Sequence, residues 1–345
     1  MPSAGNDPAA SDVLSLLRRY GRTATSFHAV APGLRRWIER RGAAPSGCVA
    51  YVDTGQAWVA AGAPIAAPDE VWRVGERFAR AADAAGRRAV FVCAERWATD
   101  AAWLRTLPIG EQPVWDPSSW PAVLDGAPGL RAQVRRAQRA GVRARPVAAA
   151  DIADRATAVR RAAERLIDRW LATRAMAPMG FLVRVRPFEL PEERRYFVAE
   201  RDARLIGLIA AVPIYQRGGW LLQDFVRDPA APNGTMELLF GEAMRGLAAE
   251  RAGHATLGLA PLAGVGGGLA AIRDVTGWLY DFEGLRAWKS KLRPHGWEPV
   301  YLAWPRGRGA IGPTLDCLRA FAHGSFRRFA GATLAHRGRA LAARG

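Results

Sequence analysis

Residues 195–228, RYFVAERDARLIGLIAAVPIYQRGGWLLQDFVRD, hold three runs of aliphatic and aromatic residues separated by the turn-forming RDAR and QRGG. Runs of that length and composition between such turns predict three strands. GTMELLFGEAMRGLAAERAG (234–253) has helical spacing, and HATLGLAPL (254–262) is a further strand. The first half shows the same element order. CVAYVDTGQAWVAAGAPIA (48–66) predicts two strands around Asp53–Gly55. PDEVWRVGERFARAADAAG (68–86) is a helix with Val71, Val74, Phe78 and Ala82 on one face and Gly86 as its stop, and RRAVFVCAE (87–95) is a buried strand. No residue-level repeat accompanies this order. The expectation is an α/β fold, α+β in its mixed sheets, built from two related domains.

Outward from that core, residues 1–11 read as a disordered start and VLSLLRRYG (13–21) has helical spacing. The expected divisions are a first domain over 12–128, a basic linking helix over 129–147, a second domain over 148–305 and a basic amphipathic tail over 306–345. In the linker, GLRAQVRRAQRAGVRARPV, Arg131, Arg135, Arg136 and Arg139 gather along one side. They suit either a solvated face or phosphate-backbone contacts. In the tail, Leu315, Leu318, Ala322 and Phe329 fall near one face, as in a helix packed on its own domain or lying on anionic lipid.

The 345 residues carry a net charge of +17 and a pI near 11.1, a balance that attracts polyanions; much of it is arginine, part of which GC-rich codon usage alone could supply. Cys48, Cys93 and Cys317 form no CxxC or Cys/His cluster, so neither a disulfide framework nor a metal site is expected. The start has no signal-peptide core, and no apolar run reaches membrane-spanning length. There is no GxxxxGK[ST], HExxH, GxSxG or calcium-loop pattern. GVGGG (264–268) fails the dinucleotide spacing, and the five histidines are scattered.

The stretch DFVRDPAAPNGTMELLF (224–240) places Asp224 and Arg227 at a strand end ahead of a proline-broken turn. In a regular strand, positions 224 and 227 point to opposite faces, so they share a site only if the chain bends. Otherwise the pair ties the strand to its loop. Asn233 and Gly234 are turn residues, and Glu237 lies in a first helical turn.

From about residue 14 to 304 the chain resembles the cytosolic synthase domain of the aminoacyl-phosphatidylglycerol (lysylphosphatidylglycerol) synthetase family. The resemblance is carried by AWVAAGAPIA, RRAVFVC, the linker, DFVRDPAAPNGTMELL, LGLAPLAG and, most specifically, YDFEGLRAWKSKLRPHGWEPVYLAW (280–304). It implies a tandem of GNAT-like acyltransferase folds that passes an aminoacyl group from aminoacyl-tRNA to a lipid hydroxyl. By motif it implies catalytic roles for Asp224, Arg227 and Lys289, with Asn233, Gly234, Glu237 and Lys291 as substrate-binding candidates and the four linker arginines against tRNA. The pocket for the amino acid would be shaped by RAMAPMGFLVRVRPF (174–188). The family's multi-pass flippase is not present in this sequence, so membrane export is not expected of it.

An aminoacyl ester is already activated, so aligning a hydroxyl, removing its proton and stabilising an oxyanion suffice, with no metal or organic cofactor. Asp224 could hold the α-ammonium or accept the hydroxyl proton, while Arg227 or Lys289 neutralises a phosphate or the departing ribose oxygen. The expected acceptor is phosphatidylglycerol or another hydroxylated molecule, and the expected place is the cytoplasm or the inner membrane face. Two rivals stand beside this reading: a GNAT acyltransferase with an acyl-coenzyme A donor, and a non-catalytic module that binds tRNA or a lipid surface.

Overall fold

The three runs of residues 195–228 form the meander their turns predict. The computed structural model describes residues 8–173, 180–261 and 282–322. The first half runs α1 (Pro8–Tyr20), β1 (Arg35–Arg41), β2 (Ala44–Asp53), β3 (Ala57–Ala61), β4 (Ile65–Ala66), α2 (Val71–Ala84), β5 (Arg88–Ala94), α3 (Arg96–Thr99), β6 (Leu104–Trp115), α4 (Trp120–Asp125) and α5 (Pro128–Arg139). The second half opens with β7 (Arg143–Val147), α6 (Ala149–Ala153), α7 (Ala158–Ala172) and the meander β8 (Arg195–Arg201), β9 (Arg204–Ile214) and β10 (Gly219–Arg227). It continues through α8 (Thr235–Ala249), β11 (His254–Thr256), β12 (Ala260–Pro261), α9 (Phe282–Lys291), β13 (Gly296–Pro305) and α10 (Ile311–Phe321).

Both halves contribute to one sheet of order β1-β2-β3-β5-β13-β6-β11-β10-β9-β8-β7. This is the expected mixed α/β fold. Its continuity comes from two pairings that element order alone does not foresee. Strand β13 enters between β5 and β6, antiparallel to β6 from Gly296↔Val114 to Pro305↔Leu104. Strand β11 joins the halves, parallel to β10 and antiparallel to β6 through Ala255↔Trp115. A buried ion network lies beside that seam. Arg217 donates to Glu95 at 2.9 Å and to Glu298 at 2.8 Å, and Gln112 donates to both carboxylates. Burial pushes the Glu95 pKa up, and Arg217 is the main pull against it.

Helices cover both faces. In the first half, α2 buries Val74, Phe78 and Ala82 against Val49, Tyr51 and Phe91, matching the predicted stripe except that Val71 is only half-buried. In the second half, α8 and α5 cover one face and α7 the other. Gly234, at φ +90°, lets α5 close on the start of α8, because a Cβ there would lie 2.0 Å from the Gln133 carbonyl oxygen.

Three local expectations meet different structure. Residues 8–11 already belong to α1, whose Val13, Leu16 and Leu17 are buried; residues 1–7 lie outside the described part. The linking helix ends at Arg139, and Arg143–Val147 is edge strand β7, paired with β8. In and just after α10 the inward residues are Pro313, Asp316, Ala320 and, as expected, Ala322, while Leu318 is half-buried and Leu315 is 40% exposed. A bidentate pair from Arg88 to the buried Asp316, at 2.6 and 2.9 Å, turns the helix, since a buried carboxylate demands its partner. Phe329 and the rest of the tail beyond 322 lie outside the described residues, as does GVGGG.

Candidate functional site

Strand β10 pairs regularly with β9 as far as Leu222↔Ala211, then skips Gln223 and resumes at Asp224↔Ala210. This bulge changes which way the side chains go. Trp220, Leu222 and Phe225 pack on the α8 side, whereas Leu221 and Val226 pack on the other. The consecutive Gln223 and Asp224 both belong to that second side. Gln223 lines a cleft of about 320 Å³, and Asp224 adjoins its wall, only 3% exposed.

Arg194, also lining the cleft, is buried beside Asp224, with Nη1 to Oδ2 at 3.6 Å. Its Nε donates to the Glu189 carbonyl at 2.7 Å, and its guanidinium lies 5.3 Å from the Phe27 ring centroid. Neither Arg194 Nη1 nor Asp224 Oδ2 has a hydrogen-bond partner. Buried polar atoms are nearly always satisfied, so two opposite charges left open side by side mark a place for a third group. Burial pushes the Asp224 pKa up to about 6, against the opposing pull of Arg194 and the Arg186 backbone N–H.

Around them, Glu189 accepts from Arg186 at 2.8 Å, and the buried Tyr196 hydroxyl donates to the Pro187 carbonyl at 2.6 Å. His28 sets one ring nitrogen 3.2 Å from the Thr25 carbonyl and the other 3.1 Å from that of Leu182. Burial pulls its pKa down to about 4, against the two carbonyls, which favour the charged ring. Two bulky lining residues, Phe181 and Leu190, sit at positive φ of 60° and 47°, a conformation costly for side chains of their kind. The stretch 174–188 indeed contributes Phe181, Arg184 and Arg186 to the cleft; residues 174–179 lie outside the described part.

The other sequence-derived candidates are not gathered here. Arg227 projects to the α8 side, opposite Asp224, and its guanidinium donates to the Ala231 carbonyl, closing the turn after β10. Pro229 follows too late to bend the pair together. Arg227→Ala is therefore expected to cost about 2 kcal/mol, one hydrogen bond from a charged group. Thermal unfolding of the variant beside the wild type checks this.

Lys289 is 4% exposed, and its Nζ donates to the carbonyls of Leu257, Gly258 and Leu259 at 3.0, 2.9 and 3.0 Å. These are the residues that interrupt the strand expected over 254–262. Burial alone pulls the Lys289 pKa down to about 7, but three carbonyls at hydrogen-bond length use all three N–H bonds, so the group is an ammonium. Lys291 is exposed. The aromatic wall expected beside the two lysines is otherwise employed: Trp288 meets Phe225 edge to face, Trp297 lies under Arg286, and Trp304 is buried. Asn233 is exposed, Glu237 is half-buried on α8, and Gly234 serves the approach of α5.

On α5, Arg131 is bound to the Leu124 and Asp125 carbonyls. Arg135, Arg136 and Arg139 are exposed beside a shallow groove and have no acidic partner among the described residues. No group of three or more His, Cys, Asp or Glu suited to a metal occurs among the described residues. No described helix is long and apolar enough to cross a membrane.

Arg194, Arg186 and Gln223 carry no motif of their own. The nearest sequence signal for them was the stretch 174–188.

Residues 15–304 match the family model described as "Phosphatidylglycerol lysyltransferase, C-terminal". Over 157 residues the chain is 28% identical to the phosphatidylglycerol lysyltransferase of Bacillus subtilis, a match covering 42% of this chain and 18% of that protein, so the chain corresponds to less than a fifth of its length. Among solved structures, the C-terminal domain of a putative lysylphosphatidylglycerol synthetase from Agrobacterium fabrum superposes with a TM-score of 0.78 at 22% identity, covering 94% of this chain and 99% of that one. L-PGS from Bacillus licheniformis gives a TM-score of 0.76 at 22% identity, covering 91% and 97%. FemX gives 0.55 at 8% identity, covering 90% and 98%. The two higher likenesses confirm the fold, and the family match over most of the length assigns the chain to the phosphatidylglycerol lysyltransferase C-terminal domain family.

Proposed function

We propose that this chain is an aminoacyltransferase that moves an aminoacyl group from aminoacyl-tRNA to a hydroxyl of phosphatidylglycerol at the cleft beside Asp224, using no metal or organic cofactor. The observation that carries this reading is the open pair, Asp224 Oδ2 and Arg194 Nη1, 3.6 Å apart and both without hydrogen bonds. A hydroxyl entering between them satisfies both, accepting from Arg194 and donating to Asp224.

The chemistry follows. The acceptor oxygen attacks the ester carbonyl of the donor while Asp224 takes its proton. The carbonyl oxygen becomes an oxyanion near the Arg194 guanidinium. As the tetrahedral intermediate collapses, the ester C–O bond breaks and the ribose oxygen recovers a proton from Asp224. With a pKa of about 6, Asp224 is ionised at neutral pH yet basic enough to share that proton. The work would take place at the cytoplasmic membrane surface, where charged tRNA meets the lipid headgroup.

The test supplies the purified protein with radiolabelled aminoacyl-tRNAs and phosphatidylglycerol vesicles and follows label into the organic phase. Label in lipid supports the reading. Deacylation without lipid label points to a water-soluble acceptor, and tight coenzyme A binding with no tRNA-dependent turnover overturns it.

The free arginines of α5 suit the tRNA backbone. Replacing Arg135, Arg136 and Arg139 together with Ala is expected to reduce the slope of log affinity for tRNA against log salt by about 2 to 3. An unchanged slope in a binding titration would remove α5 from the tRNA surface.

A further inference from the structure

We infer that the cleft selects an aminoacyl group with an uncharged side chain and turns away one ending in an ammonium, as lysine does; this rests on the aminoacyl-transfer reading above. Four arginines line the cleft, Arg35, Arg184, Arg186 and Arg194, against two carboxylates, Asp53 and Glu189. Both carboxylates are already engaged. Asp53 accepts from Arg87 at 3.1 Å, from Arg35 at 3.4 Å and from the Gly55 backbone N–H at 2.8 Å. Glu189 accepts from Arg186 at 2.8 Å. The third carboxylate, Asp224, faces Arg194 and is committed to the hydroxyl proton. Arg184 is exposed and has no acidic partner among the described residues.

A lysyl ammonium entering this space would leave water, meet guanidinium charge and find, among the described lining residues, no carboxylate without an arginine partner. An unpaired ammonium in a partly desolvated site is strongly disfavoured. An uncharged side chain meets none of that opposition, and Phe27, Val30, Leu34 and Leu190 offer it apolar wall.

Alanine and lysine, linked by a stable amide to 3′-amino-3′-deoxyadenosine, make the two probes for calorimetric binding to the full chain. Alanyl- and lysyl-tRNA with phosphatidylglycerol vesicles make the two substrates for turnover. The expected result is at least tenfold tighter binding of the alanyl probe and the same preference in transfer. Equal or tighter lysyl binding, or binding of neither probe, overturns the inference. Preferred lysyl transfer would overturn it while leaving the proposed function standing; lipid label from no member of a complete aminoacyl-tRNA pool would remove both.

A variant gives an independent check. Arg186→Gln releases Glu189 while keeping the backbone N–H that Asp224 accepts, so the lysyl-to-alanyl binding ratio is expected to rise at least tenfold. An unchanged ratio in a folded variant would overturn the role given to the Arg186–Glu189 pair.

Discussion

Asp224→Asn is expected to lower kcat/KM for aminoacyl transfer by about 10²- to 10⁴-fold, the range set by loss of a positioned general base. Asparagine keeps the shape of the side chain and an oxygen for the Arg186 backbone N–H, so the circular dichroism spectrum should be retained. What is lost is the group that takes the proton. In the wild type the carboxyl titrates at about 6, raised by burial, so kcat/KM should climb with pH and level off above that value; the residual activity of the variant should lack this limb. Stability carries the same signature. A carboxyl whose folded pKa lies above its ordinary 3.8 binds more protons folded than unfolded between those values, so it gains stability as pH falls through the window. The variant lacks that gain, so its stability relative to wild type should decline as pH drops from about 6 toward 4. A folded variant with more than a tenth of wild-type turnover would displace Asp224 from the chemistry.

The second large effect falls on folding rather than turnover. Lys289→Met is expected to destabilise the protein by about 3 kcal/mol, because removing the ammonium orphans three buried-side carbonyls, each worth about 1 kcal/mol or more. For a chain of 345 residues that corresponds to a fall of roughly 4 °C in Tm. Lys289 pins residues 257–259, which lead from β11 into β12, so their loosening should appear as faster amide exchange in that segment. Turnover measured well below the new Tm should stay within about threefold. A hundredfold loss with an unchanged Tm would return Lys289 to the catalytic role that its motif implies.

Lys289 also shows how far residue identity reaches. A lysine in a family block marks a position under demand, but a phosphate ligand and a carbonyl clamp demand the same ammonium, and only burial and the three contact distances separate them. The meander was legible because its turns and apolar runs are local, and α2 because its stripe has helical period. By contrast, β13 and the pairing of β11 with β6 depend on contacts between distant residues, for which periodicity holds no record. Asp224 was legible as an acid at a strand end. Its partner was not: the period of two correctly places Arg227 on the far face, but the bulge at Gln223 and the arrival of Arg194 from outside the meander are tertiary facts. The helix 311–321 illustrates the same limit, since its apolar spacing favours Leu315 inward while one buried ion pair decides otherwise.

The position of β13 bears on how the chain comes to be folded at all. During synthesis β5 and β6 leave the ribosome early, yet the strand that fills the gap between them is made only after nearly everything else. Until it arrives, two hydrogen-bonding edges of the first half stand open, a condition that invites pairing with other chains. Cutting the polypeptide at α5 would therefore not release a finished N-terminal unit, and the two halves, similar as they are in element order, mature as one cooperative object.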